Sequence, residues 1–293
     1  MFLVINGDLG SGKTTVARLL SERLGIPYIS TGELQRELAK SMNLTTLELN
    51  IRAEKDESID QMIDGKVRDL PKMYPNAIVD SRMAWKFIPQ ALKVRLIAHP
   101  LTAAARILSA EGRTSESYRT VEEALENVQS RRASEQRRFI HTYGVDIEHL
   151  GHYDLIVQTD LCDAGRVANV IGAYLESGEQ SGGRVHAFLN PRAVYPTAPI
   201  AAETFTTPSE QRIEVIRAAN DFFVVDGHQR LAWALRQNDT FVRAVIVGQD
   251  SGEISEGVSA AQHARNAATP ALLKTWEDKF GFQFAHKPAF SAG

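Results

Sequence analysis

Gly7-Asp8-Leu9-Gly10-Ser11-Gly12-Lys13-Thr14-Thr15 satisfies the pattern G-x-x-x-x-G-K-[ST], and its neighbours decide the fold. Residues 2–6 form a short apolar run of strand type. Residues 14–24 place Val16, Ala17, Leu19, Leu20 and Leu24 on one helical face. A glycine-rich loop between strand and helix lets successive backbone N–H groups turn inward, and the following helix aims its positive end at the same point. Such a nest holds phosphates. Gly7, Gly10, Ser11, Gly12, Lys13, Thr14 and Thr15 are therefore the predicted nucleotide-binding residues. Lys13 would place a point charge on the β- and γ-phosphates, and the Thr14 hydroxyl would ligate Mg²⁺, so ATP and Mg²⁺ are the implied cofactors. Asp8 is unusual in such a loop, because its charge repels phosphates unless it faces the acceptor or solvent; the sequence leaves both open.

Outward from the loop, strands alternate with helices, the pattern of a parallel α/β sheet. Strands are predicted at 28–29, 77–80, 94–98 and 155–158, and helices at 33–41, 121–141 and 165–175. The small, polar, glycine-rich stretch 176–184 reads as a flexible linker. A chain of 293 residues exceeds the usual reach of one core, so the predicted division is 1–176, a linker at 177–184, and a smaller α+β unit at 185–293. Past the linker, Pro191, Pro196, Pro199 and Pro208 break the chain into loops. Pro208, Ser209 and Glu210 suggest the start of a helix over 209–220. A strand at 222–225, a helix at 229–236, a strand at 241–247 and a helix at 270–280 complete the prediction.

The net charge of −3 is close to neutral, and residues 181–293 carry as many basic as acidic side chains. Strong non-specific nucleic-acid binding normally needs a basic module, so any contact with DNA must be local. The one cysteine, Cys162, has no disulfide partner and no metal-ligand spacing, which suits a reducing cytoplasm. No apolar run approaches the roughly 18 residues that span a bilayer. The N-terminus lacks the basic region of a signal peptide, and the expected location is cytoplasmic.

Four further stretches, in order, narrow the chemistry. They are Ile29-Ser30-Thr31-Gly32-Glu33-Leu34-Gln35-Arg36; Ile78-Val79-Asp80-Ser81-Arg82; Arg131-Arg132-Ala133-Ser134-Glu135-Gln136-Arg137-Arg138 with Tyr143-Gly144-Val145-Asp146-Ile147; and Tyr153-Asp154-Leu155-Ile156-Val157 with Thr159-Asp160. With the phosphate loop they resemble archaeal-type cytidylate kinases from residue 1 to about 175. The resemblance implies that Thr31, Arg36 and Arg82 bind the acceptor, and that Arg131, Arg132 and Arg138, from a segment that also holds Arg137, neutralise charge during transfer. Helical spacing puts only some of those arginines on one face. Asp80, at the end of a strand, is a candidate to order the Mg²⁺ shell or accept a proton from a hydroxyl, or is a structural cap. The chain departs from the family where Asp80-Ser81-Arg82 replaces a Glu-Gly-Arg-type signature, followed by Trp85, which either stacks a base or belongs to the core.

In the second half, 222–232 reads Phe-Phe-Val-Val-Asp-Gly-His-Gln-Arg-Leu-Ala, similar to the core of ParB/sulfiredoxin-like domains; Asn190-Pro191-Arg192 and Glu210 fit the same layout. The resemblance implies that Asp226, Gly227, His228 and Arg230 engage an anion at a helix N-terminus. No thiol stands at this turn, which excludes sulfiredoxin chemistry. Three readings follow. The arrangement resembles that of phage DNA-modifying kinases, which implies transfer to the hydroxymethyl group of 5-hydroxymethyluracil in DNA. The alternatives are a CMP/dCMP-type nucleoside monophosphate kinase with an accessory nucleotide-binding domain, and a ParB-like DNA-binding nucleotide switch.

Overall fold

The phosphate loop lies at the C-terminal end of a strand at the heart of one ten-stranded sheet. A computed structural model describes residues 1–44, 46–53, 56–109, 118–179, 182–200, 212–255 and 257–288. The first part runs β1 (Phe2–Gly7), α1 (Lys13–Leu24), β2 (Tyr28–Ser30), α2 (Thr31–Ser41), α3 (Thr46–Ala53), α4 (Glu57–Met73), β3 (Ala77–Asp80), α5 (Ala84–Phe87), β4 (Leu92–Ile97), α6 (Pro100–Ser109), α7 (Val121–Tyr143), β5 (Leu155–Gln158) and α8 (Ala164–Glu176). The second part runs β6 (Val185–Leu189), β7 (Val194–Tyr195), β8 (Ile213–Ala218), β9 (Asp221–Asp226), α9 (His228–Gln237), β10 (Val242–Gln249), the small pair β11 (Glu253–Ser255) and β12 (Val258–Ser259), α10 (Ala260–Ala267) and α11 (Pro270–Phe280).

Strand order is β2-β3-β1-β4-β5-β6-β10-β8-β9-β7, parallel from β2 through to β6 and mixed beyond. The predicted α/β class with a parallel sheet is therefore present. Beyond the glycine-rich stretch the chain re-enters the same sheet, with β6 pairing parallel to β5 through Leu155–His186, Ile156–Ala187 and Val157–Phe188. One apolar cluster runs from Val4 and Val79 through Ile156 to Val215, Leu231 and Trp276, so the two halves share core. Among the described residues no helix is long and apolar enough to cross a membrane.

One predicted helix is corrected. Residues 209–211 lie outside the described residues, but Ile213–Ala218 is the strand β8, between β10 and β9, with only Glu214 exposed. Ile213, Val215 and Ile216 are β-branched and fully buried there. Burying each such side chain contributes roughly 1.5–3 kcal/mol, which outweighs the ~1 kcal/mol of a good helix cap. Two helices that carry site residues, α4 and α6, lie outside the prediction. The signal for α4 was present: Asp56 caps it by accepting a hydrogen bond from the Ser58 N–H, and Ile59, Ile63, Val67 and Leu70 recur at helical spacing.

Candidate active site

The loop from Gly7 to Thr15 wraps the start of α1. Ser11 donates from both its N–H and its hydroxyl to the Asp8 carbonyl, closing a tight turn. Gly10 has φ +76° and lies so close to α6 that an added Cβ would stand 2.8 Å from Ala103, so the loop accepts no side chain there. Gly12 begins the helix and brings no side-chain cap, which leaves the first turn's N–H groups facing an anion site.

Asp80 ends β3 in register with Ile5 of β1 on one side and Ser30 of β2 on the other. It is 4% exposed, and its carboxylate is the meeting point of the donor site. Lys13 Nζ lies 2.9 Å from Oδ1, and the Thr14 hydroxyl donates to Oδ2 at 2.9 Å. The Tyr28 hydroxyl donates to Oδ2 at 3.1 Å, and the Thr31 hydroxyl to the Asp80 carbonyl at 3.3 Å. Burial, then the Asp80 charge, raises the Tyr28 pKa, so the phenol stays a proton donor. Thr14 and Asp80 supply hard oxygen donors side by side, the set Mg²⁺ prefers. Among the described residues no group of three or more His, Cys, Asp or Glu could hold a metal by itself. Such a pair suits a cation that completes its shell from water and nucleotide phosphates.

A cleft of about 1200 Å³ opens from this point, with the loop on one side and α2, α4 and α7 on the other. Thr31, Arg36, Arg82, Arg131 and Arg138, all predicted site residues, line this one cavity. The arginines are paired within the wall. Arg36 lies 4.0 Å from Glu33, Arg131 is 3.2 Å and Arg82 3.1 Å from Glu135, and Arg138 donates twice to Asp60 at 2.7 and 2.8 Å. Arg132 turns off the opposite face of α7, to Glu148 and Asn220, and does not line the cleft. Arg137 is exposed. Trp85 belongs to the core: it is 8% exposed, donates its indole N–H to the Arg82 carbonyl and stacks on His152 at 4.6 Å. It is therefore not the base-stacking side chain that was one of its two readings.

Several site residues escaped the sequence reading. Asp60 and Asp64 sit buried on the unpredicted α4 and line the acceptor side. Burial lifts the Asp64 carboxyl to about 6, while a hydrogen bond from Tyr143 opposes the shift. Arg106 of α6 donates to the Gly10 carbonyl at 3.2 Å and to the Thr159 hydroxyl at 2.9 Å, bracing the phosphate loop. Of its two readings Asp8 takes the acceptor side over solvent: its Oδ1 lies 2.9 Å from the buried Arg95 Nη2 and 3.7 Å from Arg82 Nη1, at the border of the cleft. Arg95 is fully buried on β4, and its presence between Val94 and Leu96 in a core strand was the available signal.

In the second half the predicted strand-turn-helix is present as β9, Gly227 and α9. Gly227 has φ +94°, and an added Cβ would meet Ile213 at 2.8 Å. His228 accepts the Thr197 N–H at Nε2 (3.1 Å), and burial lowers its pKa, so the ring is neutral. Arg230 donates to the Arg212 carbonyl at 2.7 Å, and Asp226 is exposed. These residues share no lining with the cleft.

Comparison with known proteins bears on the first half. A cytidylate kinase of Methanobrevibacter smithii is 36% identical over 171 residues, which is 58% of this chain and 96% of that protein. A cytidylate kinase of Sulfurisphaera tokodaii is 36% identical over 177 residues, 60% of this chain and 95% of its own. Among solved structures, shikimate kinase from Bacteroides thetaiotaomicron overlays 60% of this chain and 98% of its own with a TM-score of 0.46 at 16% identity. The model of the cytidylate kinase-like family matches residues 3–161, more than half of the sequence. The chain is a P-loop phosphotransferase and belongs to the cytidylate kinase-like family.

Proposed function

We propose that the chain transfers the γ-phosphate of ATP to a pyrimidine-type acceptor, and that this acceptor is the hydroxymethyl group of a base such as 5-hydroxymethyluracil in DNA. One observation carries the choice. The two arginines expected to bind the acceptor lie beside carboxylates, Arg82 at 3.1 Å from Glu135 and Arg36 at 4.0 Å from Glu33, and Arg131 and Arg138, expected to neutralise charge during transfer, pair with Glu135 and Asp60. A monophosphate brings a near-dianion that needs uncommitted guanidinium groups. A hydroxyl brings no charge, and the carboxylates of Asp60 and Asp64 suit the N–H and O–H donors of a base.

On the donor side Lys13 would neutralise charge on the β- and γ-phosphates, and the nest from Gly7 to Thr15 would fix their direction. Mg²⁺, when bound, shields the charge between those phosphates; Thr14 and Asp80 are the side chains that would hold it. Asp80 is also the strongest candidate to receive the acceptor hydroxyl's proton, being in reach of the site where Lys13 and Thr14 converge. The second half, with its Asp226-Gly227-His228-x-Arg230 turn, would engage the DNA or a nucleotide rather than the transferred phosphate.

A second reading is favoured by the relatives: proteins named cytidylate kinase match over nearly their whole length, which supports CMP or dCMP as acceptor. One assay separates the two. γ-labelled ATP is offered CMP or dCMP in one tube and duplex DNA containing 5-hydroxymethyluracil in another. Label on that DNA, absent when thymine replaces the modified base, supports the first reading. Label on the free nucleotide alone overturns it in favour of the second.

A further inference from the structure

Behind the phosphate loop lies a buried ionic chain that crosses from the kinase core into the second half. Glu148, 7% exposed, is its hub. Arg95 reaches Glu148 Oε1 at 2.8 Å, Arg217 reaches Oε2 at 3.2 Å, and Arg132 pairs with the same Oε2. Arg217 belongs to β8, is 2% exposed, and donates a second bond to the Glu148 carbonyl at 3.1 Å. Gln249 at the end of β10 donates to that carbonyl as well, also at 3.1 Å. Burial opposes ionisation of Glu148, yet Arg95 and Arg132 hold its carboxyl well below the usual range.

The decisive detail is one nitrogen. Arg95 Nη2 serves two carboxylates at once, Asp8 Oδ1 at 2.9 Å and Glu148 Oε1 at 2.8 Å. Its Nη1 is committed to the Ile147 carbonyl at 2.8 Å and the Tyr153 hydroxyl at 3.3 Å. Asp8 and Glu148 therefore compete for Arg95, and positive charge brought to Glu148 from elsewhere relaxes that competition. Arg217 brings such charge. Asp8 is the one carboxylate within the phosphate-binding loop itself, and an Asp8 released from Arg95 keeps only the longer 3.7 Å approach of Arg82 to hold it from the phosphates that it would repel.

We infer that Arg217 is a positioning residue for the phosphate loop: acting through Glu148 and Arg95, it keeps the Asp8 carboxylate turned away from bound nucleotide. The second half of the chain would then set the nucleotide affinity of the first by way of a shared carboxylate, without touching the nucleotide.

The test is an equilibrium titration of the full chain with a fluorescent ADP analogue and Mg²⁺, for wild type, R217M, R217K, D8N and the two double variants, with melting curves alongside. R217M should weaken nucleotide binding about three- to tenfold, the range of coupling carried through packed charge networks. R217K keeps the charge but not the fork, and should lose less. On the D8N background neither change should weaken binding further, because no carboxylate remains to be released. That non-additivity is what a merely structural arginine would not produce. Wild-type affinity in R217M overturns the inference, as do equal losses with and without D8N. Should R217M fail to fold, the R217K pair, compared with and without D8N, decides by the same criterion.

Discussion

The two walls of the cleft are built by opposite means. The donor wall is built around main chain: loop, helix start and Asp80 occupy adjoining strand ends, and Lys13, Thr14 and Tyr28 converge on one carboxylate within 3.1 Å. The acceptor wall is side chain and long range. Arg138 of α7 meets Asp60 of α4 across 78 residues of sequence, and Tyr143 meets Asp64 likewise. A wall made of main chain is fixed by the fold, whereas a wall made of paired charges can change specificity with few substitutions.

The comparison breaks first at Lys13. Lys13→Ala should cut turnover about 10²–10³-fold by removing charge stabilisation of the transferring phosphate. Its melting temperature should stay near wild type, since Asp80 keeps the Thr14 and Tyr28 donors. Initial rates with γ-labelled ATP decide it, and a loss under tenfold would mean the donor wall is not the seat of the chemistry. Arg138→Ala should raise the acceptor KM about tenfold while leaving the KM for ATP in place, because it strips Asp60 of its partner and touches nothing on the donor side. A rise in both constants would show that the two walls are not separable.

Asp64 sharpens the contrast through pH. Its carboxyl titrates near 6 in the fold, raised from 3.8 by burial, whereas the unfolded chain releases the proton close to its ordinary value. Between those values the folded state holds the extra proton, so Asp64's contribution to stability declines as pH rises from about 4 to about 6 and stays diminished above. Asp64→Asn has no proton to lose. It should melt about 2–4 °C above wild type at pH 7.5 and show little difference at pH 4. An equal offset at both pH values would assign the effect to packing. The smallest expected effect belongs to His228→Ala. Transfer to a free nucleotide should change less than about twofold, since the ring lines no part of the cleft, while transfer to DNA weakens. Equal loss on both acceptors would place the second half in the chemistry.

What the sequence disclosed follows the same divide. The loop of the donor wall could be read because its parts are neighbours in the chain, and the pattern from Gly7 to Thr15 names them. Asp80 could be read because a strand end beside the loop is a fixed place in a parallel sheet. Arg95, Glu148 and Arg217 could not, since their meaning arises only when two strands and the middle of α7 converge on one buried oxygen pair. Among the arginines of α7, spacing predicted a split between faces. It did not say that Arg131 and Arg138 would face the cleft and Arg132 would turn to Glu148. The helix expected over 209–220, replaced by a strand across 213–218, has a related cause: a capping pattern is local, whereas the pairing of β8 with β10 and β9 is not.

The parallel pairing of β5 with β6 has a practical consequence for anyone who would study either half alone. The glycine-rich stretch looks like the natural place to cut. A chain ending there would leave Leu155, Ile156 and Val157 with a row of unanswered backbone donors and acceptors along a buried, aliphatic rim. Such a rim is a template for the next molecule. A shortened version should therefore come out of the cell as aggregate unless the lost neighbour is supplied in trans, and co-expression of residues 182–293 is the arrangement to try first.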